Sequence, residues 1–206
     1  MSRLAALRCL SPGALSLVTE RGLLRFGDYK GHAAWFVMDS TGRIIQARRM
    51  DGELWPVREA KEKSLSLWSS DGHWPVGIVE ASAFPVIAFC EGGPDLLAAH
   101  HFILAEARQG DCTAVAIVAG SASIHADALA LFQGKRVRIF RHVDAAGDKA
   151  ADKWFAQLTA AGADVDAFAL DGLTRADGQP VNDLNDLAQV SAEDFSATPC
   201  LQSLFP

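Results

Sequence analysis

Three acidic clusters stand where an apolar run gives way to a helical pattern. Val86-Ile-Ala-Phe-Cys90 leads into Glu91-Gly-Gly-Pro-Asp95, and Val137-Arg-Ile-Phe-Arg-His-Val143 leads into Asp144-Ala-Ala-Gly-Asp148. The third, Val181-Asn-Asp-Leu-Asn-Asp-Leu187, follows a further apolar run over 165–170. A parallel sheet opens the carboxyl ends of its strands on one rim, so this layout gathers Glu91, Asp95, Asp144, Asp148, Asp183 and Asp186 there. Carboxylates that close repel one another unless a cation lies between them, and an all-oxygen donor set suits Mg²⁺. The chemistry implied is metal-assisted reaction at phosphate. Each cluster alone also suits a helix start: Asp95 through the helix dipole, Asp144 as a cap, the third as an Asx-type turn.

The elements that must position these acids follow from periodicity. From residue 85 strands alternate with helices: strands over 86–90, 113–119, 136–142 and 165–170, helices over 94–107, 124–132, 146–161 and 184–190. Pro94 suits a first helical turn, and Gly162 suits the residue that ends a helix. Such alternation predicts an α/β fold, a mostly parallel Rossmann-type sheet with flanking helices. Gly92 and Gly93 would let backbone approach a ligand beside Glu91. Ahead of this unit, 33–38 and 43–48 read as a β-hairpin around a turn at 39–42, and 65–68 and 76–79 extend its sheet. A helix near the start precedes them. The division expected is a small β-rich lobe over 1–82, the α/β unit over 83–192 and a tail over 193–206.

Composition narrows the class. Half of the 206 residues are apolar, ample for a core, and no run approaches the ~20 apolar residues of a membrane span. The signal-like N-terminus is broken by Arg8 and by Ser11-Pro12-Gly13, and no clear cleavage site follows, which points to the cytoplasm. Cys9, Cys90, Cys112 and Cys200 lack CxxC spacing, so buried free thiols are expected and a zinc ribbon is not. Residues 1–80 carry 11 Lys/Arg against 9 Asp/Glu, and 81–206 carry 8 against 16, giving the net −6. An acidic balance argues against a nonspecific nucleic-acid binder. Acids around a metal, however, cease to repel once the ion is bound.

Taken together the clusters resemble the Toprim (topoisomerase–primase) family, and more closely the catalytic core of bacterial and phage primases. In that family a strand ends in Glu, then Gly, with Asp four residues after the Glu, as at Glu91–Asp95. A later strand ends in Asp-x-Asp-x-x-Gly, which falls on His142-Val-Asp144-Ala-Ala-Gly147, and an Asp-x-Asn-Asp element falls on Asp183–Asp186. Ala119-Gly120-Ser121-Ala122 resembles the turn after the intervening strand. The likeness covers 85–190 well and extends more weakly over 33–80. There Arg48-Arg49 and Lys63 resemble basic residues that face nucleotide phosphates or template, although a solvated strand face, shared with Lys61, is the plainer reading. One position departs: the first Asp of the Asp-x-Asp pair is His142. Imidazole is a poor ligand for Mg²⁺ but serves Mn²⁺ or Zn²⁺.

The resemblance implies RNA primer synthesis on single-stranded DNA from nucleoside triphosphates. Glu91 would act as general base, Asp95 would orient it, and Mg²⁺, or Mn²⁺ because of His142, would be held by Glu91, Asp144, Asp148, Asp183 and Asp186. It implies a replicative helicase or a separate zinc-binding protein as partners, no membrane, and a phage or mobile-element source. Two alternatives stay open: a metal-dependent Toprim nuclease, and a non-catalytic nucleic-acid or partner-binding module in which His142 records lost metal affinity. A topoisomerase fits poorly, since Tyr29 is the only tyrosine.

Overall fold

A computed structural model describes residues 1–57, 60–68, 70–120 and 122–206. Two short helices open the chain, α1 (Ser2–Arg8) and α2 (Pro12–Glu20). Cys9 ends the first in the left-handed region, and the Ser11 side chain caps the second, whose first residue is Pro12. Proline suits that position because its missing N–H has no helical partner there. An antiparallel sheet follows in the order β1 (Leu24–Tyr29), β2 (His32–Met38), β3 (Ile45–Arg49) and, after the small hairpin β4 (Trp55–Val57) and β5 (Ala60–Glu62), β6 (Leu65–Ser66). The predicted hairpin is thus the β2–β3 pair, with Met38 opposite Ile45.

This sheet is apolar on both faces, which is how it joins the rest. Leu24, Trp35 and Val37 enter the main core, while Ala34, Ala47 and Trp55 form a second cluster with Tyr29, Phe36 and Leu65. The predicted sheet extension at 76–79 is corrected: Val76 pairs with Ala116 of the parallel sheet instead.

The α/β unit runs β7 (Val86–Glu91), α3 (Gly92–Ala105), β8 (Cys112–Ile117), α4 (Ala126–Leu129), β9 (Arg136–Phe140), α5 (Ala145–Ala160), β10 (Asp164–Phe168) and α6 (Leu184–Leu187). Its strands are parallel in the order β10-β9-β7-β8. β7 and β8 are buried along nearly their whole length, as expected of strands covered on both faces. The edge pair alternates instead. Arg136 and Arg138 of β9 pair with Asp164 and Asp166 of β10. Helix α3 is apolar nearly all round, with Leu96, Leu97, Ala98, Ala99, Phe102 and Ile103 buried, so it is an interior helix. Helix α5 buries one stripe, Ala150, Ala151, Trp154 and Leu158.

Three details differ from expectation. Strand β9 stops at Phe140, so His142 lies beyond the strand; the β7–β9 ladder ends even earlier, at Phe89 opposite Ile139. The helix expected over 124–132 is one turn, α4, continued by a 3₁₀ turn over Ala130–Phe132. Of the four free cysteines, Cys9 and Cys200 are exposed and only Cys90 and Cys112 buried, a correction to the uniform burial expected.

The last residues form α7 (Ala192–Ala197) and a 3₁₀ turn, then pack: Leu201, Leu204 and Phe205 are buried, and the Glu106 carboxylate accepts from Leu204 N–H at 2.7 Å. Lys135 Nζ clasps the turn before β7, donating to Ser82 O at 2.7 Å and Phe84 O at 2.8 Å. Among the described residues no helix is long and apolar enough to cross a membrane.

Candidate functional site

Glu91 closes β7, and Asp95 sits in the first turn of α3. The turn between them needs Gly92, whose φ is +87°, and Gly93, where a Cβ would stand 3.2 Å from Val37 of β2. The lobe therefore rests directly on the start of α3. Asp95 is 1% exposed, and both its oxygens are engaged: Oδ2 accepts from His142 Nε2 at 2.9 Å, Oδ1 from the Asn185 backbone N–H at 3.0 Å. The other His142 nitrogen, Nδ1, lies 4.0 Å from Glu91 Oε2. The segment carrying His142 is fixed below by Gly147, where a Cβ would meet His142 Cβ at 2.8 Å. It is tied sideways by Val143 N–H to Asn182 O at 2.8 Å.

Asp183 completes the group. Its Oδ1 accepts from Asp186 N–H at 2.7 Å, capping α6, and Asp95, His142 and Asp183 each offer a ligand atom within 4.8 Å of the others. That group could hold a metal ion. Burial pushes the Asp183 carboxyl up to about 7, helped by the Asp95 charge. Burial likewise raises Glu91, against the opposing pull of His142. For His142 itself burial works against the charge, but the hydrogen bond to Asp95 and the Asp95 and Glu91 charges prevail and raise it to about 9. Unlike charges at close range favour one another's ionised forms.

A cavity of about 550 Å³ opens over this group, a size ordinary for a small-molecule or nucleotide site. Arg8, Arg48, Arg49 and Lys63 line it from the lobe side; Glu91, Asp95, His142, Asp183 and Asp186 line it from the sheet rim. Gly120 lies on its wall, and Ser121 falls outside the described residues. Arg8 and Arg48 stand close enough to the acids to feel their charge. Each feels Asp95 and Asp183, and each has a buried Nε that meets no hydrogen-bond acceptor among the described residues. Burial, then the neighbouring Arg8, holds Arg48 down at about 10. Arg49 is committed elsewhere, bonded to Asp51 and to Leu54 O at 3.1 Å.

Other expected acids lie apart from the cluster. Asp144 is exposed, and its Oδ1 caps α5 by accepting from Gly147 N–H at 2.7 Å; it stays close enough to Glu91 to raise that carboxyl. Asp148 pairs with Arg141, and Asp186, though on the cavity wall, accepts from Arg175 at 3.0 Å and from Asn182 N–H at 3.1 Å. Two site residues went unread in the sequence. Arg8 carries no local signal, since only packing brings the end of α1 over the rim. Asn185 is buried, and its Nδ2 donates to Arg8 O at 2.9 Å while its own N–H holds Asp95. An Asn buried beside two acids in an acidic motif was the available hint.

No protein-family model matches the chain, and no curated protein sequence matches it. Solved structures do. The chain is similar to the primase fragment of the bacteriophage T7 primase-helicase protein, with TM-score 0.58 and 16% identity over 88% of this chain and 66% of that one. It is similar to a T7 primase domain seen with lagging-strand DNA polymerase, an RNA/DNA hybrid and dTTP, with TM-score 0.55 and 14% identity over 86% and 81%. The Aquifex aeolicus primase, in its zinc-binding and RNA polymerase domains, gives TM-score 0.57 and 16% identity over 95% of this chain and 54% of that one. The chain thus spans under two thirds of the T7 fragment and of the Aquifex protein. Its fold is that of primase domains: a four-stranded parallel sheet with flanking helices beside an antiparallel lobe.

Proposed function

We propose that this chain is a primase-like nucleotidyltransferase of Toprim type that makes RNA primers on single-stranded DNA. One observation carries the reading: a single cavity has Arg8, Arg48, Arg49 and Lys63 on one wall and Glu91, Asp95, His142 and Asp183 on the other. Triphosphate and template backbone are the ligands that need both, cations for their charge and a metal-binding acidic group at the reacting phosphorus. Support comes also from the primase fold and from the T7 neighbour bound to a hybrid and a nucleotide. The division into a lobe over 1–82, a Toprim unit over 83–192 and a tail over 193–206 belongs to the same reading. So do a cytoplasmic setting, a phage or mobile-element source, and a helicase or zinc-binding partner.

The residues divide the work. Glu91, its carboxyl raised by burial, accepts the proton of the attacking 3′-hydroxyl, since a carboxylate of raised pKa is a stronger base than a free one. Arg8 and Arg48, whose buried Nε groups meet no acceptor among the described residues, bind phosphate oxygens and take up charge that grows in the transition state. Asn185 fixes Asp95 and the end of α1 together, so that both walls keep their spacing. The donor set of two carboxylates and an imidazole fits a divalent cation, which when bound at Asp95, His142 and Asp183 would neutralise the transferring phosphoryl group. Asp144, Asp148 and Asp186 shape the surrounding field.

The test is primer synthesis on a single-stranded template with ribonucleoside triphosphates and Mg²⁺ or Mn²⁺. Wild type makes short RNA; Glu91→Gln loses roughly 10²- to 10⁴-fold, the usual contribution of a general base. Template cleavage without synthesis would favour the nuclease reading, and metal-independent DNA binding without either would favour a binding module.

A further inference from the structure

We propose that the group formed by Asp95, His142 and Asp183 selects a first-row transition ion, Mn²⁺ or Zn²⁺, over Mg²⁺. This names the ion for the site just described and rests on that reading only for what the ion does there. The selection follows from the donors. Mg²⁺ is small, holds its waters tightly and takes oxygen in near-ideal octahedra; an imidazole nitrogen suits Zn²⁺ best, and Mn²⁺, though first in the series, accepts it more readily than Mg²⁺ does. The acids that might have built an all-oxygen cage are engaged elsewhere: Asp144 caps α5, Asp148 pairs with Arg141, and Asp186 is held by Arg175.

The two carboxylate donors are also oriented as ligands usually are, each by a second hydrogen bond. Asp95 Oδ1 is held by Asn185 N–H at 3.0 Å, leaving Oδ2 toward the group. Asp183 Oδ1 is held by Asp186 N–H at 2.7 Å. His142 turns Nε2 to the group and Nδ1 toward Glu91 Oε2, 4.0 Å away. At that distance Glu91 acts on the ring by its charge and not by a hydrogen bond. Backbone sterics hold the imidazole there, since Gly147 leaves no room for His142 to retreat. Three protein donors leave coordination positions open to water or substrate oxygen, as at catalytic rather than structural sites. The ion exchanges for the proton that His142 shares with Asp95.

The experiment titrates Mn²⁺ into the full chain, follows free Mn²⁺ by electron paramagnetic resonance, and reads nitrogen hyperfine coupling in the bound spectrum. Mg²⁺ and Zn²⁺ then compete for the bound Mn²⁺. Expected are nitrogen coupling in wild type, displacement by equimolar Zn²⁺, and displacement by Mg²⁺ only at an excess of about 100-fold or more, comparable to the most that changing an outer-shell partner costs a metal site. His142→Asp removes the coupling and narrows the Mn²⁺-to-Mg²⁺ gap at least about tenfold. His142→Gln, which keeps the bulk, removes the coupling and weakens Mn²⁺. Bound Mn²⁺ without nitrogen coupling, or Mg²⁺ competing at parity, would overturn the proposal. Nitrogen-coupled Mn²⁺ in a protein that makes no primers would leave it standing and overturn the functional reading alone.

Discussion

Gly147→Ala tests how the site is held. The new Cβ would stand 2.8 Å from His142 Cβ and closer still to the His142 carbonyl oxygen, where carbon atoms pack at about 3.5–4.0 Å. The overlap approaches an ångström against backbone, which cannot swing aside as a side-chain tip would. Overpacking of this kind costs about 1–3 kcal/mol, occasionally more, and alanine recovers roughly 1 kcal/mol of helix propensity over glycine. A contact with backbone belongs at the top of the range, so the net loss is about 2 kcal/mol. For a chain of this length that lowers the melting temperature by about 4–8 °C. Relief comes by moving the His142 segment away from α5, toward Asp95. Misplacing a reacting group by ~1 Å can cost about 10²-fold in rate, so primer synthesis measured well below the melting temperature falls far more than stability accounts for. Gly110→Ala, a site with open space around the new Cβ, is the control and leaves both quantities near wild type. If Gly147→Ala melts and reacts like Gly110→Ala, the close approach under His142 is not what positions it.

Acid stability depends on His100, which donates Nδ1–H to Leu96 O while its buried Nε2 has no partner among the described residues. Burial, then the Arg21 charge, holds it at about 3, below its ordinary 6.5. Unfolded chains bind this proton first, so the stabilisation is full above pH 6.5 and drains as pH falls toward 3. The loss from pH 7 to pH 5 is about 2 kcal/mol, read by urea unfolding, and His100→Leu should flatten it. Lys135→Met removes the clasp on Ser82 and Phe84 carbonyls and destabilises by about 1–2 kcal/mol; thermal melts equal to wild type would show the clasp to be incidental. In single-stranded DNA binding by fluorescence anisotropy, Arg8→Ala and Arg48→Ala each reduce the log–log salt slope by about 0.7. Arg49→Ala, its guanidinium already engaged by Asp51, reduces it less. An unchanged slope in the Arg8/Arg48 double variant would mean neither arginine meets a strand phosphate.

What could be read from residues alone was the part built from long apolar runs. β7, α3 and β8 carry their burial in nearly consecutive residues and α5 in a helical stripe, so their order and the rim they create were visible, along with Glu91, Asp95 and Asp183 near it. The lobe was legible only where a turn sits between β-rich runs, as at β2 and β3. Of its helices only one near the start was legible, because α1 and α2 are 7 and 9 residues long and hold their shape through tertiary contact rather than propensity. Val76 was misassigned because one long-range bridge to Ala116 decides its sheet, and no local pattern records such a bridge. The same limit hid Arg8 and Asn185. Their importance arises from a hydrogen bond spanning most of the chain, whereas the departure at His142 was plain in the motif but its hydrogen bond to Asp95 was not.

Where the β7–β9 ladder ends at Phe89 and Ile139, the backbone after Phe140 is released from the sheet's pairing rules. The side chain at residue 142 meets the cavity and Asp95, and swapping it for another disturbs no inter-strand register. Changing residue 142 therefore leaves the strand pairing intact but removes a partner of the buried Asp95 carboxylate, so the cost of retuning the chemistry there falls on Asp95 and not on the sheet.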